Sequence, residues 1–187
     1  MVQFNLPDNS KLQKGEYFKS ETSSKNIKKF QDIKIVLTDV DGVLTDGGMY
    51  YSSKGDVMKK FHVRDGMAVN MLKKHNIPTI IVTKEKNPTI TQWAKKMNVK
   101  KIFDGILDKE KILEKVCKEF NVKASNIVYI GDDVNDMALL KNVGISVSPG
   151  DAWKNTKQTV DYVTEKHGGK GVLREISDLI LDSNNKL

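Results

Sequence analysis

Cysteine and arginine are scarce in this chain. Its 187 residues include one cysteine, Cys117, and two arginines, Arg64 and Arg174. A single cysteine excludes an internal disulfide framework. Cys117 lies on the apolar face of a predicted helix, where we expect a buried, inert thiol. The net charge of +7 therefore comes almost entirely from lysine. Because the lysines are dispersed, without an arginine-rich run or an aromatic-interleaved stripe, they indicate a solvated surface and no nucleic-acid partner.

Long apolar runs are also missing. None approaches the ~20 residues that span a bilayer, and the N-terminus lacks the basic and apolar regions of a signal peptide. Hydrophobic content of 39% and charged content of 29% fit a soluble globular protein with no membrane partner. We expect a cytoplasmic location, one domain over residues 32–187, and a flexible or loosely docked tail over residues 1–31, which are rich in lysine, serine and asparagine.

Apolar strands alternate with helices after the tail. The pattern predicts strands over residues 33–38, 77–82, 126–130, 145–147 and 162–163. It predicts helices that begin at Asp65-Gly66 and over residues 88–97, 109–120, 135–142, 153–159 and 172–181. Asn87 and Asp108 are the expected N-caps of two of these helices, and Gly144 is an expected C-terminal glycine. Residues 49–51 and 57–63 are predicted to pair as a β-hairpin.

The alternation predicts the fold class. Apolar strands without polar alternation are typical of a parallel sheet that is buried on both faces. With right-handed crossovers, this is an α/β fold with a doubly wound, mostly parallel Rossmann-like sheet. No insertion is long enough for a cap domain, so the hairpin after the first strand is the one plausible cover within the chain.

The most informative segment is Thr38-Asp39-Val40-Asp41-Gly42, which follows the first predicted strand directly. Open α/β sheets bind ligands at the carboxyl ends of their strands. Two carboxylates in one tight turn repel each other unless a cation joins them, and oxygen ligands suit Mg²⁺. An ionised aspartate beside a metal can attack a phosphoryl group. The alternative is an acidic surface turn without a chemical function.

Three further sites occur at predicted strand ends or helix starts. They are Thr83, Lys109 and the segment Gly131-Asp132-Asp133. Taken singly, they could be a strand-end threonine, a surface lysine and a turn with a helix cap. Because the carboxyl ends of parallel strands meet at one edge, the sheet is expected to bring them together with Asp39. Their occurrence in this order favours a catalytic site.

Each residue type in this set has a chemical use. Asp39 is the predicted nucleophile that forms an aspartyl-phosphate, and Asp41 is the predicted general acid and base. The expected Mg²⁺ ligands are the Asp39 carboxylate, the Asp41 backbone carbonyl and Asp132. Lys109 would neutralise phosphate oxygens, and Thr83 would donate a hydrogen bond to one of them.

Supporting roles are expected for neighbouring groups. Backbone N–H groups near Gly42 could add hydrogen bonds to the phosphate. Asp133 and Asp136 fit positions where they would hold metal-bound waters or orient Lys109. His62, His75 and His167 lack the spacing of metal ligands and are assigned no catalytic role.

The four sites resemble motifs I to IV of the haloacid dehalogenase superfamily, most of whose members are Mg²⁺-dependent phosphatases. Asp41 as the second acid favours a phosphatase, a phosphoric monoester hydrolase, over a dehalogenase. Residues 38–47, 61–66 and 167–175 further resemble the 3-deoxy-D-manno-octulosonate 8-phosphate phosphatase family, and this resemblance covers about residues 32–182. It implies a homotetramer without cap domains, in which the hairpin helps form the assembly and a neighbouring subunit covers each active site.

One segment departs from the octulosonate enzymes, which usually have Gly-Arg after the motif II threonine. Here the run is Thr83-Lys84-Glu85-Lys86, and the Glu-Lys pair is similar to the related 2-keto-3-deoxynononate 9-phosphate phosphatases. An eight-carbon and a nine-carbon, sialic-acid-like substrate therefore both stay open, because a lysine cannot replace the bidentate fork of an arginine. The candidate substrate contacts are Gly42, Arg64, Lys84, Glu85 and Lys86. Arg64 has the alternative of a hairpin-to-helix salt bridge, and Arg174 is expected at a structural or interface position.

Two other functions compete with the sugar-acid phosphatase. One is a non-catalytic oligomerisation module associated with sugar-acid cytidylyltransferase activity, since similar domains occur fused to such enzymes. The intact acids, Thr83 and Lys109 count against it. The other is a nucleic-acid 3′-phosphatase, which the dispersed lysines and rare arginines do not favour.

Overall fold

Strand β1 (Ile35–Thr38) is buried over its whole length and lies inside the sheet. The computed structural model describes residues 30–184, with the backbone alone at residues 56 and 57. Ile35 and Leu37 belong to one hydrophobic cluster, whereas Val36 belongs to another. Because successive side chains of a strand point to opposite faces, the sheet is covered on both sides.

Eight strands and six α-helices make up the described part of the chain. The strands are β1 (Ile35–Thr38), β2 (Tyr50–Ser52), β3 (Gly55–Met58), β4 (Thr79–Val82), β5 (Lys101–Phe103), β6 (Ile127–Ile130), β7 (Ile145–Ser148) and β8 (Tyr162–Val163). The helices are α1 (Val63–Lys74), α2 (Pro88–Met97), α3 (Ile112–Phe120), α4 (Met137–Leu140), α5 (Lys154–Thr159) and α6 (Val172–Ser183).

Six strands form one sheet in the order β5-β4-β1-β6-β7-β8, and all of its neighbours pair in parallel. The chain runs outward from β1 to β5 and then crosses to β6 on the other side of β1. This reversal places a switch point at the carboxyl end of β1, where open α/β sheets bind ligands. The doubly wound parallel fold is confirmed.

The two faces carry different helices. One core cluster includes side chains of α1, α2 and α6, such as Leu72, Ile90 and Ile176. The other includes Ile112 and Val116 of α3 and the α4 leucines. Within residues 30–184, the only strands outside the main sheet are those of the antiparallel β2–β3 hairpin, so no cap domain is present in this part of the chain. None of the helices in these residues is long and apolar enough to cross a membrane.

The prediction for residues 57–63 was wrong in its second half. Strand β3 ends at Met58, and helix α1 begins at Val63, two residues before the predicted start at Asp65. His62 ends the extended segment, because its imidazole Nδ1 accepts a hydrogen bond from Arg64 N at 3.3 Å and caps the helix. The apolar Phe61 and Val63 resembled a strand pattern that this cap interrupts.

Two predicted caps were wrong. Asp108 makes no capping hydrogen bond, because its carboxylate pairs with Lys111 Nζ at 2.5 Å. The predicted helix over residues 109–120 therefore begins with a 3₁₀ turn, Lys109–Lys111, before α3. Gly144 does not end α4, which stops at Leu140. Its N–H donates to two carbonyls outside α4, and a Cβ there would lie 2.2 Å from Ser125 O.

Strand β5 has no counterpart in the sequence prediction. It contains three residues, one of them Lys101, and pairs with β4 alone at the sheet edge. Too few residues are present for a periodic signal. By contrast, the Asn87 cap of α2 is confirmed, since its side chain accepts a hydrogen bond from Thr89 N at 2.9 Å and Pro88 occupies the first helical turn.

The predicted tail over residues 1–31 lies outside the described residues except for its last two. Phe30 is 1% exposed and packs edge-on against Tyr162, with ring centroids 6.3 Å apart. Gln31 donates from Nε2 to Ser183 O at 2.9 Å. The packed domain therefore includes Phe30.

Candidate active site

The sheet brings three predicted site residues to one edge. Asp39, Thr83 and Asp132 follow β1, β4 and β6, and β4 and β6 both flank β1. A cavity of about 740 Å³ opens at this edge. Its lining residues are Asp39, Asp41, Gly42, Gly47, Thr83, Lys84, Glu85, Asp132, Asp133, Val134 and Asn135.

A tight turn after β1 sets the position of both acids. The carbonyl of Val40 accepts hydrogen bonds from three successive N–H groups, those of residues 43–45, at 2.9–3.3 Å. Gly42 has φ of +75°, and a Cβ on it would lie 2.0 Å from Asp132 Oδ2. Glycine is therefore required for the turn and for the close approach of Asp132 to the Asp39–Asp41 segment.

Lys109 is a fully buried cation in contact with the predicted nucleophile. Its Nζ lies 2.6 Å from Asp39 Oδ2 and 2.6 Å from Asp136 Oδ1, with an exposed fraction of 0%. The Tyr129 hydroxyl donates to the same Asp136 oxygen at 2.5 Å. A buried ammonium needs such paired partners to offset its loss of hydration. Sequence reasoning missed Tyr129, because a tyrosine in a buried strand has the same pattern as any core aromatic.

Asp136 connects Lys109 to the backbone of the loop after β6. Its Oδ1 is bound by Lys109 and Tyr129, and its Oδ2 accepts hydrogen bonds from Asp132 N at 2.9 Å and Asp133 N at 3.4 Å. Both oxygens are therefore occupied by the protein. The Asp133 carboxylate lines the cavity and accepts a hydrogen bond from Val134 N at 2.7 Å, which caps the short 3₁₀ turn that follows.

The carboxyl groups of the site shift each other's ionisation. Burial and the negative charge of Asp136 raise the pKa of Asp39 to about 7, although Lys109 opposes the shift. Burial, Asp136 and Asp39 raise the pKa of Asp132 to about 8. Burial disfavours the charged form of Lys109, but Asp39 and Asp136 outweigh it and raise the pKa of that ammonium. The site thus concentrates negative charge that a cation would stabilise.

The oxygen atoms fit a divalent cation. Carboxylate oxygens of Asp39, Asp132 and Asp136 lie within 4.8 Å of one another. Asp136 is the weakest candidate of the three, because both of its oxygens already accept hydrogen bonds. Within the described residues, no hydrogen-bond donor contacts the Asp132 carboxylate, which is half-buried and faces Asp39 and Gly42. Asp39 and Asp132 therefore offer the hard oxygen ligands that Mg²⁺ prefers.

Thr83 lies buried beside the nucleophile. It is 2% exposed and lines the cavity. Its Oγ1 accepts a hydrogen bond from Glu85 N at 3.2 Å, which leaves the hydroxyl hydrogen available for donation to a ligand.

Lys59 is a site residue that sequence reasoning missed. Its Nζ lies 2.9 Å from Asp41 Oδ1 and 2.6 Å from Glu85 Oε2. Burial raises the pKa of Asp41, and Lys59 opposes that shift. Burial also acts on Glu85, but Lys59, Asn87 and Asp41 together outweigh it and lower the pKa of Glu85. The one available signal was the spacing of two residues between Lys59 and Phe61, which places both on the same face of an extended segment. Phe61 is stacked on Trp93 at 4.6 Å.

The predicted substrate contacts do not all converge. Gly42, Lys84 and Glu85 line the cavity, and the Glu85 carboxylate also accepts a hydrogen bond from Asn87 Nδ2 at 3.1 Å. Arg64 is exposed near the start of α1 and is not among the cavity residues. The described residues offer it no ion pair, so the alternative hairpin-to-helix salt bridge is not formed among them. Lys86 lies against Gly105, where a Cβ would come within 2.4 Å of its Cε.

The remaining polar candidates lie outside the cavity. Arg174 Nε donates to Asp178 at 2.7 Å within α6. None of the three histidines lines the cavity. Cys117 is half-buried against the α3 side of the core, and burial raises the pKa of its thiol.

Comparisons with known proteins show the family of this chain. Residues 19–176 match the family described as haloacid dehalogenase-like hydrolase. The chain is 39% identical over 158 residues to the 3-deoxy-D-manno-octulosonate 8-phosphate phosphatase KdsC of Haemophilus influenzae, covering 84% of this chain and 88% of that protein. It is 32% identical over 161 residues to KdsC of Escherichia coli, covering 86% of each chain.

Solved structures show the same similarity. The cobalt-bound phosphatase of Haemophilus influenzae superposes with a TM-score of 0.82 at 39% identity, over 84% of this chain and 92% of that one. The Moraxella catarrhalis enzyme, solved with a magnesium ion, a phosphate ion and a KDO molecule, superposes with a TM-score of 0.83 at 33% identity, over 87% and 93%.

The chain belongs to the haloacid dehalogenase-like hydrolases and, among them, to the 3-deoxy-D-manno-octulosonate 8-phosphate phosphatase family. It is accordingly an enzyme of the phosphoric monoester hydrolase class.

Proposed function

We propose that this protein is a Mg²⁺-dependent phosphatase that hydrolyses the phosphate ester of a 2-keto-3-deoxy sugar acid through an aspartyl-phosphate intermediate. The observation that carries the proposal is the contact between the buried Lys109 and Asp39, beside Asp132, at the carboxyl edge of the sheet. This arrangement provides a nucleophile, a fixed positive charge and a metal-binding carboxylate around one cavity.

The first step transfers the phosphoryl group to the protein. An Asp39 carboxylate oxygen forms a bond to phosphorus as the bond between phosphorus and the ester oxygen breaks. The departing oxygen takes the proton from the Asp41 carboxyl group, so the sugar acid leaves as a neutral alcohol. Burial raises the pKa of Asp41, which favours the protonated form that this step requires.

The second step releases phosphate. Asp41, now a carboxylate, takes a proton from a water molecule whose oxygen attacks phosphorus, and the bond to Asp39 breaks. Lys109 lies 2.6 Å from Asp39 Oδ2 and so places positive charge next to the phosphoryl group in both steps. The Thr83 hydroxyl donates to a phosphate oxygen.

Asp39, Asp132 and the backbone carbonyl of Asp41 would hold the magnesium ion. When bound, it lowers the repulsion between the anionic nucleophile and the anionic phosphate. The carboxyl groups of Asp39 and Asp132 fit this role because burial and the negative charge of Asp136 raise their pKa values to about 7 and about 8, so a bound cation would stabilise their charged forms. Magnesium and cobalt ions occur in the solved relatives described above.

The substrate class rests on the relatives and on residues 83–86. The relatives are named as octulosonate 8-phosphate phosphatases, which supports an eight-carbon sugar acid. The Glu-Lys pair after Lys84 supports a nine-carbon acid, so we propose that one of these two esters is the substrate. Lys84 and Glu85 line the cavity and are the proposed contacts within the chain, together with Gly42. Arg64 and Lys86 stay weaker proposals because neither lines it.

The exposed surface of the hairpin supports assembly into a homotetramer. Met49, Tyr51 and Met58 on or beside the hairpin are 57–67% exposed, and Val63 and Met67 at the start of α1 are 82% and 54% exposed. We call these five residues the hairpin patch. Large apolar side chains that are exposed within one short stretch of the chain, as here over residues 49–67, are typical of a protein interface. A neighbouring subunit on this patch would supply the cover that the described chain lacks, and Arg64 would lie next to it.

A cytoplasmic location remains part of the proposal.

The nucleophile can be tested by substitution. Asp39→Asn removes the attacking charge but keeps the side-chain shape, so we expect phosphate release to fall by roughly 10³-fold or more while the folded structure is retained, as circular dichroism measures. Asp32→Asn is a matched control, since Asp32 is exposed just before β1, away from the carboxyl edge. Turnover by Asp39→Asn at the wild-type rate would refute the proposed role. The alternative of a non-catalytic oligomerisation module predicts no hydrolysis by the wild type or by Asp39→Asn. The contact of Lys109 with Asp39, beside Asp132, does not support this alternative.

A further inference from the structure

Among the described residues, Lys59 is buried, as Lys109 is. Its side chain is 2% exposed, whereas those of Lys60, Lys111 and Lys118 are 52%, 74% and 77% exposed. Burial of an ammonium group is costly unless charged partners accept its hydrogen bonds. Lys59 has such partners in Asp41 and Glu85, at 2.9 and 2.6 Å. The burial of Lys59 therefore depends on these two carboxylates of the site.

This lysine connects three segments at the sheet edge. It follows β3 of the hairpin, and its ammonium contacts the turn after β1 and the loop after β4. Glu85 is itself fixed, because Asn87 donates to its other oxygen at 3.1 Å. The ammonium of Lys59 is thus held between one anchored carboxylate and the carboxyl group of Asp41.

Asp41 needs an external restraint more than Asp39 does. Its side chain is 41% exposed, and that of Asp39 is 7% exposed. On Asp41 Oδ1, the Thr45 hydroxyl at 3.2 Å adds a longer hydrogen bond to the ion pair with Lys59. A carboxyl group that transfers a proton must lie within hydrogen-bond reach of the departing oxygen, so a loss of orientation lowers the rate of that step.

We propose that Lys59 is a positioning residue for proton transfer, which holds the Asp41 carboxyl in the orientation from which it protonates the departing oxygen, with Glu85 as the anchor of Lys59. The inference rests on the proposed function, because it assumes that Asp41 is the general acid. As the bond between phosphorus and the ester oxygen breaks, the proton passes from Asp41 to that oxygen, and Lys59 itself neither gains nor loses a proton.

This role of Lys59 predicts that the loss of kcat/KM in its variant depends on the leaving group of the substrate. Phenyl phosphate and p-nitrophenyl phosphate have nearly the same shape, but the phenolate needs protonation more than the nitrophenolate does. Neither ester carries sugar-acid groups, so the comparison does not depend on the identity of the natural substrate. The ratio of the two kcat/KM values therefore reports assistance by the general acid, since kcat/KM covers the steps up to leaving-group departure.

The experiment uses the full chain with Mg²⁺ and measures this ratio for wild type, Lys59→Met, Asp41→Asn and Lys101→Met. Lys101 is the control because it forms an ion pair with Glu119 at 2.5 Å on the edge strand β5. We expect Asp41→Asn and Lys59→Met to lower kcat/KM for phenyl phosphate about tenfold more than for p-nitrophenyl phosphate, and Lys101→Met to leave the ratio unchanged.

The outcomes separate the inference from the proposed function. Equal losses on both esters in a folded Lys59→Met variant, or no loss, would show that Lys59 is only structural. A flat ratio in Asp41→Asn would instead refute Asp41 as the general acid, and with it both proposals. If Lys59→Met does not fold, Glu85→Gln is the second variant. It removes the charge of Glu85 that holds the Lys59 ammonium and adds no charge of its own. We then expect the same selective loss on phenyl phosphate, and equal losses would overturn the inference.

Discussion

Asp39 and Asp132 face each other with too little positive charge between them. Of these two carboxylates, Lys109 contacts that of Asp39 alone, and no hydrogen-bond donor among the described residues contacts the Asp132 carboxylate. Burial and the negative charge of Asp136 raise their pKa values to about 7 and about 8. In the metal-free protein, both groups bind protons that the unfolded chain has already lost at neutral pH. Metal binding must displace these protons.

This competition predicts how magnesium stabilises the fold at different pH values. Because the native carboxyl groups hold protons between the unfolded pKa near 3.8 and the raised native values, the stability of the metal-free protein falls as pH rises through that window. Magnesium removes this penalty, so the rise in unfolding temperature on adding Mg²⁺ should be larger at pH 8 than at pH 6. Thermal denaturation at both pH values measures it.

Asp132→Asn is the informative variant for this prediction. It removes one metal ligand and one titrating group, so the Mg²⁺-dependent rise in unfolding temperature should nearly vanish at both pH values. Asp178→Asn on α6 is the control and should behave as wild type. A magnesium effect of equal size at pH 6 and pH 8 in the wild type would contradict the assignment of these carboxylates.

At the scale of the element, the turn after β1 depends on Gly42 in two ways. Its positive φ strains any other residue, and a Cβ would collide with the Asp132 carboxylate at 2.0 Å. We expect Gly42→Ala to lower the free energy of unfolding by about 1–2 kcal/mol from backbone strain. It should also displace Asp132 and weaken Mg²⁺ binding, which calorimetric titration measures.

Gly55 in the hairpin separates the two effects. It also has a positive φ, of +104°, but no atom lies within 4 Å of a Cβ placed there. Gly55→Ala should therefore lose stability by strain alone and keep the magnesium affinity of the wild type. Equal loss of magnesium affinity in both variants would show that strain, and not the contact with Asp132, explains the effect of Gly42→Ala.

Much of the sheet and of the site could be predicted from the sequence because both depend on local patterns. Apolar runs marked β1, β4 and β6, and the parallel arrangement then placed the ends of these strands together. The functional roles assigned to Asp39, Asp41 and Asp132 remain proposals. Strand β5 was missed because its three residues pair only at an edge.

Tertiary contacts explain the other misses. Lys59 is 18 residues from Asp41 in sequence, and Tyr129 is 20 residues from Lys109. Apart from the spacing between Lys59 and Phe61, nothing in the local sequence distinguishes Lys59 from the solvated Lys60, because the burial of Lys59 results from carboxylates that the sheet brings near it. The end of the hairpin was misplaced for a similar reason, since the His62 cap competes with strand propensity at Phe61 and Val63.

At the scale of the whole molecule, the open cavity and the hairpin patch both support contact with a neighbouring subunit. The cavity has no cover from the described chain, and the patch exposes apolar side chains next to the segment that carries Lys59. We expect Tyr51→Lys to lower the molar mass measured by light scattering and to reduce kcat/KM for a sugar-acid phosphate, because a charge in the patch opposes burial. Val163→Lys, on the edge strand β8, is the control and should change neither. A monomeric wild type would refute the assembly proposal.

The central claim concerns the reaction and its substrate class. Phosphate release with Mg²⁺ from 3-deoxy-D-manno-octulosonate 8-phosphate, 2-keto-3-deoxynononate 9-phosphate and glucose 6-phosphate tests it most directly, with Asp39→Asn as the inactive reference. We predict that kcat/KM for one of the two sugar-acid esters exceeds that for glucose 6-phosphate by roughly 10²-fold, since a site built to bind a carboxylate rejects an ester that lacks one. No hydrolysis of either sugar-acid ester above the Asp39→Asn background would contradict the account.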